Sequence, residues 1–73
     1  MTAAATLTTE SIGDGRLLTV DCSHGTTSLA FMNGTDPGTP QITEVAAARM
    51  VVAHHYAKER CNCTRRLRQR YGV

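Results

Sequence analysis

The stretch "IGDGRLLTVDCSHG", residues 12–25, decides how this chain is read, because it encloses one apolar-alternating segment between two turn signals. Asp14-Gly15 supplies the positive φ that tight hairpins require, so residues 12–16 are expected to reverse the chain. Behind that turn, Leu18, Val20 and Cys22 fall on one side of a strand and Thr19 and Asp21 on the other. "SHGTT" at 23–27 is a second reversal.

Working outward, strands are predicted near 5–12, 16–22 and 27–33, the last with Leu29 and Phe31 on a shared side. "NGTDPGTPQ" at 33–41 then reads as a loop. Thr39 followed by Pro40 is a helix start, with the hydroxyl as cap and proline at the first helical position. Beyond it Ile42, Val45, Ala46, Met50, Ala53, Ala57 and Cys61 recur at three- and four-residue spacing. That face, flanked by Val52 and Tyr56, is predicted to cover the sheet, which leaves Ala47 and Val51 on the outer side as contact candidates. Arg49 falls inside it and is expected to pair with Asp21 or Glu10, or to reach solvent at the edge. Thr64 is placed as the cap of a short second helix over 65–71 that stops before Gly72. The fold class is therefore α+β: a three-stranded antiparallel meander, one long helix and a short C-terminal one, in a single domain spanning 1–73.

Such a chain needs help to stay folded. It has 73 residues, only Phe31, Tyr56 and Tyr71 as aromatics, and a predicted helix face made mainly of alanine. Chains this small bury a reduced share of their surface, and a disulfide, a metal or a partner usually makes up the difference. Three cysteines cannot form a self-contained disulfide set. The first ten residues carry no basic segment followed by an apolar one, and "VAAARMVVA" at 45–53 is too short to span a bilayer. These features predict a reducing cytoplasm with no membrane partner, where clustered thiols serve as metal ligands more often than as disulfides.

The cysteines fall in two units. Cys22 is followed at two residues by His24, and Cys61 at two residues by Cys63. Three thiolates and an imidazole form a closed tetrahedral donor set for structural zinc. One unit ends the second strand and the other ends the long helix, so a single ion would staple sheet to helix and couple metal binding to folding. Nearby Lys58, Arg60 and Arg65 are expected to favour the thiolate form, and Gly25 to let the backbone turn beneath the metal. The competing readings make Cys22 and Cys61 small buried hydrophobes with Cys63 incidental, or make Cys61 and Cys63 a strained redox pair. Of the adjacent His54 and His55, one helix cannot aim both at the same ion; His54, on the side of Lys58 and Cys61, is the substitute should His24 not bind.

Charge is divided along the chain. In residues 1–57 Arg16 and Arg49 stand against Glu10, Asp14, Asp21, Asp36 and Glu44, whereas in 58–73 Lys58, Arg60, Arg65, Arg66, Arg68 and Arg70 stand against Glu59 alone. The tail from about residue 64 is thus a candidate phosphate-contacting segment through Arg65, Arg66, Arg68 and Arg70. Cations are also favoured at a helix C-terminus without any ligand.

The units "CSH" and "CNC" resemble those of the SWIM zinc finger, a ββα module written Cys-x-Cys and then Cys-x-His, with the order reversed here. The layout "CSHG" after strands and "CNCT" after a helix also resembles small zinc-binding proteins of actinobacteria and their phages. Both resemblances imply Cys22, His24, Cys61 and Cys63 as ligands, and neither implies an activity. A catalytic zinc keeps an open coordination position beside a general base in a cleft. Four candidate ligands on a short chain instead predict a non-enzymatic module that binds a protein partner or a second copy of itself, or that binds nucleic acid through the tail.

Overall fold

The computed structural model describes residues 4–32 and 42–73. Strands β1 (Thr6–Ile12), β2 (Gly15–Cys22) and β3 (Gly25–Met32) form one antiparallel sheet in the order β1-β2-β3. Helix α1 (Glu44–Glu59) crosses one face, and a single 3-10 turn at Asn62–Thr64 leads into helix α2 (Arg65–Tyr71). The fold is the expected α+β meander followed by a long and a short helix.

Both hairpins close on two-residue turns. In the first, Ile12 pairs with Gly15, and Gly13 carries the positive φ of 55° while Asp14 does not. A left-handed first central residue marks a type II′ turn, whose twist suits the flanking strands. The glycine that turns the chain is therefore Gly13, where Asp14-Gly15 was expected to do so. Gly15 is needed for a different reason: a Cβ there would lie 2.6 Å from the carbonyl oxygen of Phe31. In the second hairpin Cys22 pairs with Gly25, so β3 begins two residues earlier than anticipated and the reversal consists of Ser23 and His24 alone.

The register puts Leu7, Val20 and Thr27 in one cross-strand row and Thr9, Leu18 and Leu29 in the next, all toward the helices. On the opposite face polar rows prevail, with Thr19 hydrogen-bonded to Ser28 and the Thr26 hydroxyl donating to Asp21 at 2.6 Å. Leu18 and Val20 are fully covered, as the alternation in β2 requires.

Helix α1 starts later than the sequence suggested. Thr43 accepts a hydrogen bond from the Ala46 amide at 3.1 Å, and Glu44 in the first turn complements the helix dipole. The Thr39-Pro40 start lies outside the described residues. The helix is also rolled relative to expectation. Its buried residues are Ala47, Ala48, Val51, Val52 and His55, whereas Ile42, Val45 and Met50 are exposed. Ala47 and Val51, read as an outer contact surface, are core. The reason is visible in the sequence of α1, which is apolar on both sides and so has no dominant face for periodicity to find.

Arg49, placed by this roll on the outer surface, donates from Nε to the Tyr71 carbonyl at 2.6 Å. It pairs with neither Asp21 nor Glu10; it satisfies a carbonyl at the end of α2, where cations are favoured. Gly72 closes α2 in the left-handed region with φ of 69°. Thr64 precedes α2 as expected but makes no cap hydrogen bond; its buried hydroxyl donates to the Cys61 carbonyl and accepts from Arg68.

Candidate metal centre

Cys22 ends β2, and the tight Ser23-His24 reversal brings the His24 amide to within 3.4 Å of its sulfur. An N–H aimed at sulfur is a charge-assisted contact once the sulfur is a thiolate. The second unit is positioned by the way α1 stops. Arg60 adopts a left-handed conformation (φ 54°, ψ 31°) and its amide bonds to Tyr56 O at 2.8 Å. Cys61 is then extended, and the 3-10 turn carries Cys63 back over it. The Ala5 amide donates to the Cys63 carbonyl at 2.9 Å, so the segment entering β1 also holds this turn.

The result is a convergence of all three cysteines with His24. Sγ of Cys22 lies 3.7 Å from Sγ of Cys61 and 3.9 Å from Nδ1 of His24, and Sγ of Cys63 lies 3.4 Å from the same nitrogen. All four donor atoms fall within 4.8 Å of one another. Zinc–sulfur bonds of about 2.3 Å and zinc–nitrogen bonds of about 2.0–2.1 Å in a tetrahedron require S–S edges of about 3.8 Å and S–N edges of about 3.6 Å. Three of the six separations, 3.7, 3.9 and 3.4 Å, lie near those edges, and the other three stay within 4.8 Å. Soft thiolates with one imidazole are also the donor chemistry zinc selects.

Cys61 and Cys63 are buried, Cys22 is half-buried and His24 is exposed, so the cluster sits at the rim of the core with one side toward solvent. All three cysteines are free thiols. Burial acts to push the Cys22 thiol up, but hydrogen bonds from the His24 amide, the His55 and His24 side chains and Cys61 outweigh it and lower the pKa from 9.0 to about 6. Burial pushes the Cys63 thiol up, and its neighbour Cys61 raises it further through hydrogen bonding and charge. Three sulfurs this close cannot all ionise without a cation among them, and a divalent ion removes that conflict. The lowering at Cys22 comes from hydrogen bonds within the cluster rather than from Lys58, Arg60 or Arg65; the Lys58 ammonium instead donates to Thr26 O at 3.0 Å. Gly25, expected to let the backbone turn beneath the ion, follows the Ser23-His24 reversal without a positive φ, and a Cβ there would meet the Glu59 carboxylate at 2.8 Å.

No family model matches this chain, and neither a curated protein nor a solved structure is similar to it.

His54, the substitute ligand weighed from the sequence, is exposed on α1 and takes no part in the cluster. The residue that sequence reasoning passed over is His55. It is 0% exposed, with Nε2 3.2 Å from Sγ of Cys22 and Nδ1 2.9 Å from Oγ1 of Thr27. The signal was its spacing of three and four from Val52 and Val51, which places it on the core face once that face is correctly identified.

The four arginines of α2 do not form one surface. Arg65, Arg66 and Arg70 are exposed, but the Arg68 guanidinium lies 3.9 Å over the Tyr56 ring and its Nε donates to Thr64. Arg68 thus fastens α2 to α1. Among the described residues, no helix is long and apolar enough to cross a membrane.

Proposed function

We propose that this chain is a small non-enzymatic module built around one structural zinc, bound by Cys22, His24, Cys61 and Cys63, which acts by binding a protein partner or a second copy of itself. The observation that carries the reading is the four-donor cluster, all within 4.8 Å, with three separations near tetrahedral edge lengths. Four protein ligands fill a tetrahedral shell and leave no position for a substrate or an activated water, which argues for a structural role. The likeness of the two ligand units to those of a SWIM finger supports the same ion. For association, β1 and β3 are the edge strands of the sheet among the described residues, and Val45 and Met50 are exposed on α1. A reducing cytoplasm suits the three free thiols.

The test is native mass spectrometry before and after chelation, with a circular dichroism spectrum of each state. One zinc per chain, with loss of structure on chelation, supports the reading; a metal-free chain that stays folded overturns it. Association is followed by sedimentation over a concentration series at two salt levels, and a chain that remains a monomer and captures no protein removes the interaction role.

A second reading has its own observation. Arg65, Arg66 and Arg70 project from α2 without a carboxylate partner among the described residues, as a phosphate-contacting surface requires. Binding to a nucleic acid that weakens steeply with salt and is lost in a triple Arg→Gln variant of these residues would favour it.

A further inference from the structure

We infer that His55 is a positioning residue of the metal centre, which donates a hydrogen bond from Nε2 to the Cys22 thiolate while Thr27 holds its Nδ1. The inference rests on the zinc reading above and adds a fifth side chain to the four-donor cluster.

A fully buried imidazole must have both nitrogens satisfied, and in this structure each has one partner. A thiolate can only accept, so Nε2 must carry the hydrogen that points at Cys22. In the neutral ring Nδ1 is then an acceptor, and the Thr27 hydroxyl is its donor. The hydrogens run one way, from Thr27 on β3 through His55 on α1 to Cys22 at the end of β2. The 3.2 Å separation suits an N–H to sulfur contact, and His55 stands outside the set of four donors that approach one another within 4.8 Å. It therefore serves one ligand and does not replace it.

The chemistry gives the contact a purpose. Three thiolates and one imidazole around a 2+ ion leave a net negative charge at the rim of an apolar core. Cys22 is half-buried where Cys61 and Cys63 are buried, and so is the cysteine most open to solvent and to electrophiles. An N–H directed at it withdraws electron density, holds its rotamer toward the ion and lowers its nucleophilicity. Outer-shell partners of this kind typically change metal affinity by about 10–100-fold when removed.

The experiment uses the full chain loaded with zinc or with cobalt(II), in wild type, His55→Leu, His55→Gln and Thr27→Val. Zinc affinity is read by competition with a chromophoric chelator, the thiolate-to-cobalt charge-transfer bands by absorption, and alkylation of Cys22 in the zinc form by mass spectrometry. The leucine variant should bind zinc about 10–100-fold more weakly, shift the charge-transfer bands and be alkylated faster at Cys22, with the cobalt spectrum still tetrahedral. Glutamine, which keeps an N–H near the Nε2 position, should restore most of the affinity and the band position. Thr27→Val, which preserves shape and frees Nδ1, should fall between. Wild-type affinity and spectra in His55→Leu overturn the inference, as does a glutamine variant as weak as leucine. Loss of a nitrogen donor in His55→Leu with a silent His24→Ala makes His55 a ligand and overturns it too. If the leucine variant does not fold, Thr27→Val decides, and wild-type behaviour there is a refutation. A wild-type chain that takes up neither metal overturns the zinc reading itself, and with it this inference; one that binds zinc while the variants behave alike overturns the inference alone.

Discussion

Val51→Ala and Met50→Ala are adjacent substitutions on α1 for which the structure predicts opposite outcomes. Val51 is 0% exposed on the buried side of α1, whereas Met50 is 43% exposed on the outer side. Truncating Val51 removes two methyl groups, worth about 0.8 kcal/mol each in transfer. The space left among Leu18, Val20 and Val52 cannot close completely, which brings the expected loss to about 2–3 kcal/mol. At roughly 0.05–0.15 kcal/mol per residue, a chain of 73 residues has about 4–11 kcal/mol in total. An unfolding entropy near 2.1 cal/mol/K per residue converts the loss into a fall in Tm of roughly 13–20 °C. Met50→Ala should change stability by no more than about 0.5 kcal/mol. Urea and thermal unfolding followed by circular dichroism, with zinc saturating throughout so that its linkage is constant, measure both. If Met50→Ala costs as much as Val51→Ala, α1 is rolled the other way and the placement of His55 falls with it.

Removing zinc should have a larger effect than either substitution. An ion held by the cluster would join Cys22 to Cys61 across a separation of 39 residues, and a cross-link closing such a loop is worth about 4 kcal/mol in chain entropy. Chelation should therefore lower Tm by tens of degrees or abolish the transition, and a shift of only a few degrees would contradict a stapling role. Gly15→Ala should cost about 1–3 kcal/mol, because its Cβ meets the Phe31 carbonyl at 2.6 Å. Gly13→Asn, which has open space and a left-handed φ that asparagine tolerates, should cost less than about 1 kcal/mol; the reverse order of urea midpoints would refute the turn assignment. Arg60→Gly should stabilise the zinc form by up to about 1 kcal/mol, since relief of a left-handed arginine exceeds the added backbone entropy; a lower Tm would show that the Arg60 side chain holds the site.

Much of this molecule is legible in its sequence. Alternation of Leu18, Val20 and Cys22 with Thr19 and Asp21, and glycines at both reversals of the chain, point to a short antiparallel meander, because period-two patterning and turn chemistry are local properties. The donor set is equally local in origin: with three cysteines and one histidine two residues from the first, few other closed zinc sites can be built. The start of α1 and the glycine that turns the first hairpin were each misjudged by a few residues, and in both, nearby residues offered the same local chemistry. Arg49 reaches solvent, one of the two outcomes expected of it, and bonds a carbonyl where a carboxylate was the other.

The roll of α1 is a different kind of failure. Apolar residues occupy both sides of the helix, so Ile42, Val45, Ala46, Met50, Ala53 and Ala57 form as convincing a stripe as Ala47, Ala48, Val51 and Val52. Nothing local separates them. The choice is made by long-range constraints: Cys61 and Cys63 must reach Cys22 and His24, and the side of α1 that then meets the sheet carries His55 to Thr27 and leaves His54 in solvent. Which of two adjacent histidines sits beside the Cys22 sulfur depends on a 100° rotation that a doubly apolar helix cannot encode alone and that packing against the sheet settles.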